Sequence, residues 1–193
     1  MFNWVQFLTY VIILSATPGP NTLMSLSSGM RYGIKKSLPF QYGIGVGFSV
    51  ASLLCMVFCS LLSSVIPHLE LPMKIIGAGY MLYLAWKTFT ASVEVEGQNA
   101  EFTFWSGFFL QFINPKLYIY CITSMEAYVL PFYKGQWAAL TGFALLLAFF
   151  GFFFTVCWAA FGSGFKIVFS KYGKITNTIL ALLLVYCAVS LFF

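Results

Sequence analysis

Long apolar runs separated by short polar segments make up the whole chain, and this pattern leaves few folds open. Of the 193 residues, 61% are hydrophobic and only 8% are charged, whereas soluble domains carry about a quarter charged residues. A helix needs roughly 20 apolar residues to span a bilayer. The sequence therefore predicts an all-α integral membrane protein with six transmembrane helices. Their expected bounds are Phe2–Met30, Leu38–Ile66, Leu71–Thr90, Phe102–Leu130, Trp137–Phe165 and Gly173–Phe193.

The basic residues predict how the chain is oriented in the membrane. The connections between spans 1 and 2, 3 and 4, and 5 and 6 share one side of the membrane. That side has seven basic residues, Arg31, Lys35, Lys36, Lys87, Lys166, Lys171 and Lys174, whereas the opposite side has only Lys74 and Lys134. Loops rich in lysine and arginine stay in the cytoplasm, so both termini are expected outside. These loops also account for the net charge of +5, and no nucleic-acid partner is expected. The first residues contain no basic segment, so we expect no cleaved signal peptide.

Helix breakers interrupt the first and the fourth apolar run near the middle of each run. Non-helical backbone at membrane depth is tolerated only against protein or a water-filled cavity. A single proline would indicate no more than a kink. Two prolines around a glycine, with polar neighbours and a matching break in another span, indicate a site. The residues at the two breaks are Thr17, Pro18, Gly19, Pro20 and Asn21 in the first run, and Asn114, Pro115 and Lys116 in the fourth.

The polar segment 91–101 divides the chain into two halves, 1–90 and 101–193. Each half has three expected spans, an odd number, so the two halves enter the membrane from opposite sides. The sequence thus predicts one transmembrane transporter domain, 1–193, built as two inverted three-helix repeats. The first helix of each repeat is broken at mid-membrane. Paired broken helices of this kind indicate the substrate site of a transporter.

The breaks suit a small zwitterionic ligand. After each break a new half-helix begins near the midplane, and helix N-termini attract anions such as a carboxylate. Lys116 lies halfway along its span, where a charge costs at least about 2.5 kcal/mol. We expect Lys116 to hold a substrate carboxylate or to tune a coupling proton. A substrate ammonium is expected at backbone carbonyls around 15–17 and 111–113. All eight residues named at the breaks are the predicted substrate-binding set.

Other polar or reactive side chains give weaker signals. Glu126 suits an interfacial position at least as well as a proton relay, and His68 is expected in a surface loop, 67–70. The five cysteines lie inside apolar runs and are expected to be buried packing residues, so we expect no cofactor and no metal. With one histidine and no aspartate, a membrane enzyme is disfavoured. Two other functions stay open, a channel and a packing partner of another membrane protein. The apolar exposed faces suit a dimer interface as well as they suit lipid, so the sequence predicts no oligomeric state.

Several motifs together resemble those of the LysE/RhtB family of bacterial amino-acid exporters. They are the segment 17–21, the basic segment 31–36, the end of the third span at 79–87, and Asn114-Pro115-Lys116. Segments 105–112 and 172–189 resemble the branch of that family that exports cysteine and O-acetylserine. The resemblance implies an exporter of small neutral amino acids in the bacterial inner membrane, driven by the proton motive force. Export of another amino acid, such as homoserine, threonine or lysine, is the alternative within the family.

Overall fold

The computed structural model describes residues 2–90, 102–190 and 192, and within these ranges it does not describe the side chains of 60–70, 73, 166 and 168–170. The described residues are almost entirely helical and contain no β-strand. Three helices are long and apolar enough to cross a membrane: Ile34–Val57, Trp137–Gly164 and Lys171–Ser190. Trp4–Ala16 and Phe104–Ile113 are shorter apolar helices. The prediction of an all-helical membrane protein is confirmed, whereas six spans in two inverted repeats remain a prediction.

Both predicted helix breaks are present. Helix α1 (Trp4–Ala16) ends before the first break, and α2 (Pro20–Tyr32) begins directly after it. In the second half, α5 (Phe104–Ile113) and α6 (Pro115–Thr123) flank Asn114. Each second half-helix begins at a proline, which is favoured at the first helical position because it has no N–H group to satisfy there.

The largest difference from the predicted bounds lies between the second and third spans. Helix α3 (Ile34–Val57) ends at Phe58, where the backbone leaves the helical region, and α4 (Cys59–Thr90) follows at once. The predicted loop 67–70, with His68, is wrong because its backbone is helical. A proline is tolerated inside membrane helices, so Pro67 alone does not end one. The polar midpoint, 91–101, lies outside the described residues.

The second half continues beyond α6 with an irregular turn and two long helices. A π-helical segment (Ser124–Val129) and the single turn α7 (Leu130–Tyr133) extend α6. Helix α8 (Trp137–Gly164) follows, and α9 (Lys166–Ser190) contains a kink at Tyr172. The part of α9 that is long and apolar enough to span a membrane, Lys171–Ser190, overlaps the predicted sixth span, Gly173–Phe193.

Four helix pairs make most of the contacts between elements. Helix α2 packs against α8, α5 against α3, α3 against α8, and α4 against α9. The broken helix of each half therefore packs on the second helix of the other half. The two second helices pack on each other, as do the two third helices.

Glycines bring two of these cross-half contacts, α2–α8 and α3–α5, to backbone distance. A Cβ atom added to Gly29 of α2 would overlap the carbonyl of Ala159 in α8, and one on Gly162 would overlap the carbonyl of Leu26. The α3–α5 contact repeats this reciprocal arrangement: Gly43 faces the Phe104 carbonyl and Gly107 faces that of Phe40. Small residues let membrane helices approach this closely. Both interfaces lie at the end of the molecule where α2 ends and α3 begins, which we call the Arg31 end.

Candidate functional site

The two helix breaks meet through Lys116. Its ammonium nitrogen Nζ donates to the carbonyl oxygen of Thr17 at 2.9 Å, to Thr17 Oγ1 at 2.8 Å, and to the carbonyl oxygen of Pro18 at 3.4 Å. Gly19 makes room for this side chain, since an added Cβ would lie 3.1 Å from Lys116 Cδ and 3.2 Å from Nζ. The lysine of the second break is thus bound to the oxygen atoms of the first.

Three amide side chains, those of Asn21, Gln111 and Asn114, also join the two breaks, and we call them the amide triad. Asn21 Nδ2 donates to Gln111 Oε1 at 2.7 Å, and Gln111 Nε2 donates back to Asn21 Oδ1 at 3.3 Å. Asn114 Nδ2 donates to the same Asn21 Oδ1 at 3.2 Å. All three side chains are buried. Their hydrogen bonds link α2 to the end of α5, so the two half-sites are one connected polar centre.

The two half-helix N-termini differ in how they are capped. Asn114 Oδ1 accepts the backbone N–H of Lys116 at 3.1 Å and so caps α6. The N-cap of α2 is Gly19, which has no side chain to accept the N–H groups of the first turn. Asn114 thus already accepts one of the N–H groups that an anion at the start of α6 would use. The N-terminus of α2 is the one without a side-chain cap.

Two cavities adjoin Lys116. The lysine cavity, about 280 Å³, lies toward the end opposite Arg31, because its lining includes Lys74 and Ser190, the last residue of α9. The asparagine cavity is smaller, about 40 Å³, and is lined by Asn21, Asn114 and Thr155 among others. A water needs about 10–15 Å³ on this scale, so the smaller cavity has room for only a few. Residues shared by both linings are Leu14, Gly19, Pro20, Lys116 and Tyr120.

The structure brings together nearly all of the predicted binding residues. Thr17 and Pro18 line the lysine cavity, Asn21 and Asn114 line the asparagine cavity, and Gly19, Pro20 and Lys116 line both. Pro115 is the exception: it lines neither cavity and is buried against α4, where a Cβ on Gly77 would lie 3.0 Å from Pro115 Cδ. Glu126 is exposed and lines neither cavity.

Sequence reasoning missed several polar partners around the breaks. Tyr120 OH accepts from Ser15 Oγ at 3.3 Å and donates to the carbonyl of Leu147 at 3.2 Å, tying α6 to α1 and α8. Trp158 Nε1 donates to the carbonyl of Ala16 at 3.2 Å, next to the first break. Gln111 carried a usable signal, because it is an amide inside an apolar run three residues before Asn114.

A polar stripe follows α2 away from the site. Ser25 Oγ donates to Gln41 Oε1 at 2.8 Å, and Gln41 Nε2 donates to Ser28 Oγ at 3.3 Å. Farther along, Arg31 Nη2 donates to Asn177 Oδ1 at 3.2 Å. A helix buried on all sides is ordinarily apolar, yet α2 is buried from Pro20 to Arg31 and carries this stripe. The stripe consists of two separate hydrogen-bonded groups, Ser25–Gln41–Ser28 and Arg31–Asn177, that lie between the break and the Arg31 end.

Comparison with known proteins gives one consistent result. The family model described as LysE type translocator matches residues 12–193. Proteins named cysteine/O-acetylserine efflux protein, from Escherichia coli (strain K12) and Shigella sonnei (strain Ss046), are 39% identical over 189 residues, covering 97% of this chain and 96% of theirs. No solved structure matches the chain. The relatives are efflux proteins rather than enzymes, which confirms the prediction that the chain is not an enzyme. With its two helix breaks joined by Lys116, the chain belongs to the LysE type translocator family.

Proposed function

We propose that this protein exports small neutral amino acids, with cysteine and O-acetylserine as its foremost substrates, across the bacterial inner membrane. The efflux proteins that share 39% of their residues with it over nearly the whole chain support the substrate class. The observation that carries the proposal is the meeting of both helix breaks at Lys116 beside a cavity of about 280 Å³. This size suits a small metabolite, because pockets for drug-sized ligands begin at about 300 Å³.

The substrate is proposed to bind across the two breaks. Its carboxylate lies between the N-terminus of α2, which has no side-chain cap, and the ammonium of Lys116. Its ammonium lies against backbone oxygens at Thr17 and Pro18. The binding residues are the predicted set, with Pro115 acting through the position of the break rather than through contact. No cofactor takes part.

The proposed architecture is six spans in two inverted repeats, 1–90 and 101–193, forming one transporter domain. The packing between the halves supports it, because the second helices of the two halves, α3 and α8, pack on each other, as do the third helices, α4 and α9. A pseudo-twofold axis in the membrane plane relates such repeats in transporters.

Alternating access is the proposed mechanism, and the packing asymmetry of the structure supports it. At the Arg31 end, four glycines close the cross-half interfaces at backbone distance. Toward the opposite end, the lysine cavity separates α1 and α6 from α9. The Arg31 end is proposed to be cytoplasmic, since the basic segment after α2 meets the end of α8 there: the backbone N–H of Ile34 donates to Ser163 Oγ at 3.1 Å. Both termini then lie in the periplasm, and the structure corresponds to an outward-facing state.

Protons are the proposed coupling ion, on the resemblance to exporters driven by the proton motive force. The test is flux of labelled O-acetylserine in liposomes containing the purified protein, with and without an imposed pH gradient. We expect gradient-dependent flux that Lys116→Gln reduces by about tenfold or more, since a hydrogen bond to a charged group contributes roughly 1.5–3 kcal/mol. Lys134→Gln, which neutralises an exposed lysine that lines neither cavity, is the matched control and should retain flux.

Three results would contradict parts of the proposal. Absence of flux for O-acetylserine and cysteine would remove the substrate assignment. Flux that ignores the gradient would remove proton coupling and favour a facilitator. Equal flux in wild type and Lys116→Gln, at matched protein content, would remove Lys116 from the site.

A further inference from the structure

The Lys116 ammonium occupies the oxygen atoms that would suit the ammonium group of an amino acid. Nζ lies within 2.8–3.4 Å of two carbonyl oxygens and one hydroxyl oxygen, all from Thr17 and Pro18. A lysine ammonium has three N–H donors, and three acceptors surround it. The backbone is extended at Thr17 and Gly19, so the carbonyls of Thr17 and Pro18 receive no helical N–H group and need donors from elsewhere in the chain. The three oxygens form a small cation site filled by the protein's own side chain.

We propose that the Lys116 ammonium is a built-in substitute for the ammonium group of the substrate. This inference rests on the proposed function. A zwitterionic amino acid inserts into the Lys116–Thr17 contact. Its ammonium takes over the oxygens of Thr17 and Pro18, and Lys116 Nζ turns to the substrate's carboxylate. When the substrate leaves, Nζ returns to the same oxygens.

The surroundings leave Lys116 free to make this movement. Its side chain lines both the lysine cavity and the asparagine cavity, so open space lies on two sides of it. Gly19 presents no side chain at the point where the Lys116 stem passes. A lysine carries its charge on a flexible four-carbon stem, which allows Nζ to reorient while the backbone of α6 stays in place.

Charge balance then selects the ligand class. A zwitterion brings one positive and one negative group, so its insertion leaves the net charge of the site unchanged. A cationic amine without a carboxylate would place two ammonium groups beside each other at the same oxygens. An N-acylated amino acid would bring a carboxylate but no ammonium to replace Nζ. The site is therefore specific for ligands with a free amino group and a free carboxylate on neighbouring atoms.

Ligand binding to the purified full-length protein tests this inference without any transport measurement. The probes are cysteine under reducing conditions, 2-aminoethanethiol, which lacks the carboxylate, and N-acetylcysteine, which lacks the ammonium. Isothermal titration is carried out on wild type, on Lys116→Met and on the control Lys134→Met, which changes an exposed lysine that lines neither cavity. Lys116→Gln, which retains a polar side chain, is the second variant for the case that Lys116→Met does not fold.

Wild type is expected to bind cysteine and to bind the other two probes at least about tenfold more weakly. The ammonium of 2-aminoethanethiol is repelled by that of Lys116, and N-acetylcysteine has no ammonium to replace Nζ at the three oxygens. Lys116→Met vacates the oxygens, so its affinity for 2-aminoethanethiol should rise by about tenfold or more while its affinity for cysteine falls. Lys134→Met should show the wild-type preference. This reversal is not expected if Lys116 has only a structural role.

Two outcomes would overturn the inference, and they are distinguishable. Cysteine binding by wild type with no gain of amine binding in Lys116→Met or Lys116→Gln would overturn the substitution of one ammonium by the other, and would leave the proposed function intact. No binding of any probe by wild type, together with no O-acetylserine flux, would overturn the proposed function and the inference with it.

Discussion

Lys116 Nζ lies 2.8 Å from Thr17 Oγ1 and 2.9 Å from the Thr17 carbonyl oxygen, although the two residues are 99 positions apart in the chain. The contact joins the first half of the chain to the second at the depth where both broken helices restart. The contact between Lys116 and Thr17 thus defines the site, and substitutions of the residues around this contact lead to specific predictions.

Gly19→Ala tests the space that Lys116 needs. The added Cβ would lie 3.1 Å from Lys116 Cδ, closer than ordinary van der Waals contact, so the lysine stem must shift and its contact with Thr17 lengthens. We expect reduced O-acetylserine flux with near-normal folding, measured in liposomes at matched protein content. Gly79→Ala is the control, because an added Cβ there meets nothing within 4 Å. Equal flux in the two variants would show that Gly19 has no special role.

Gln111→Leu tests the amide triad. The substitution removes both hydrogen bonds between Gln111 and Asn21 and leaves a buried amide without that partner, which costs roughly 1–3 kcal/mol. We expect a lower melting temperature and weaker cysteine binding. The exposed Gln6→Leu on α1 is the matched control.

A double-mutant cycle separates the triad from simple loss of packing. Asn21 and Gln111 form hydrogen bonds with each other. Asn21→Ala should therefore lower the free energy of unfolding only slightly further when Gln111→Ala is already present. The effects of substitutions at two residues in direct contact on the free energy of unfolding are coupled by about 0.5–3 kcal/mol. Strictly additive effects on the free energy of unfolding would contradict the shared network.

Gly43→Ala tests the close helix packing at the Arg31 end. An alanine Cβ would overlap the Phe104 carbonyl, so α3 and α5 must move apart, and overpacking of this kind costs about 1–3 kcal/mol. We expect a lower melting temperature in detergent and greater access of thiol reagents to a Ser25→Cys probe on α2. Gly142→Ala in α8, where an added Cβ meets open space, should change neither. Unchanged access with Gly43→Ala would contradict a closed state maintained by this interface.

The sequence predicted the breaks but not the partners around them. Proline and glycine inside apolar runs identify where a membrane helix stops, and a lysine at mid-span identifies a polar centre. Which oxygen receives Lys116 depends on tertiary packing between residues about a hundred positions apart, and sequence spacing does not encode that contact. For the same reason, the carboxylate role predicted for Lys116 did not anticipate that Thr17 holds its ammonium in this structure.

Element ends and caps show the same limit. Asn114 was predicted as a ligand donor, yet it caps α6 itself, because asparagine accepts a backbone N–H readily at a helix start. The turn after the second span lies at Phe58 and not at Pro67, since a proline in a membrane helix can be accommodated. Local composition located the polar positions, whereas the pairing of their hydrogen bonds required the fold.

Protection of a single cysteine by substrate tests most directly whether the two breaks form one binding site. Ile119→Cys places a thiol in the lining of the lysine cavity. The background is Cys157→Ser with Cys187→Ser, which removes the exposed native cysteine and the native cysteine that lines this cavity. O-acetylserine should slow the reaction of this thiol with a polar thiol reagent, Lys116→Gln should abolish the protection, and the exposed Lys134→Cys should react at one rate throughout. Equal reaction of Ile119→Cys with and without O-acetylserine, in a protein that still transports it, would contradict a substrate site at Lys116.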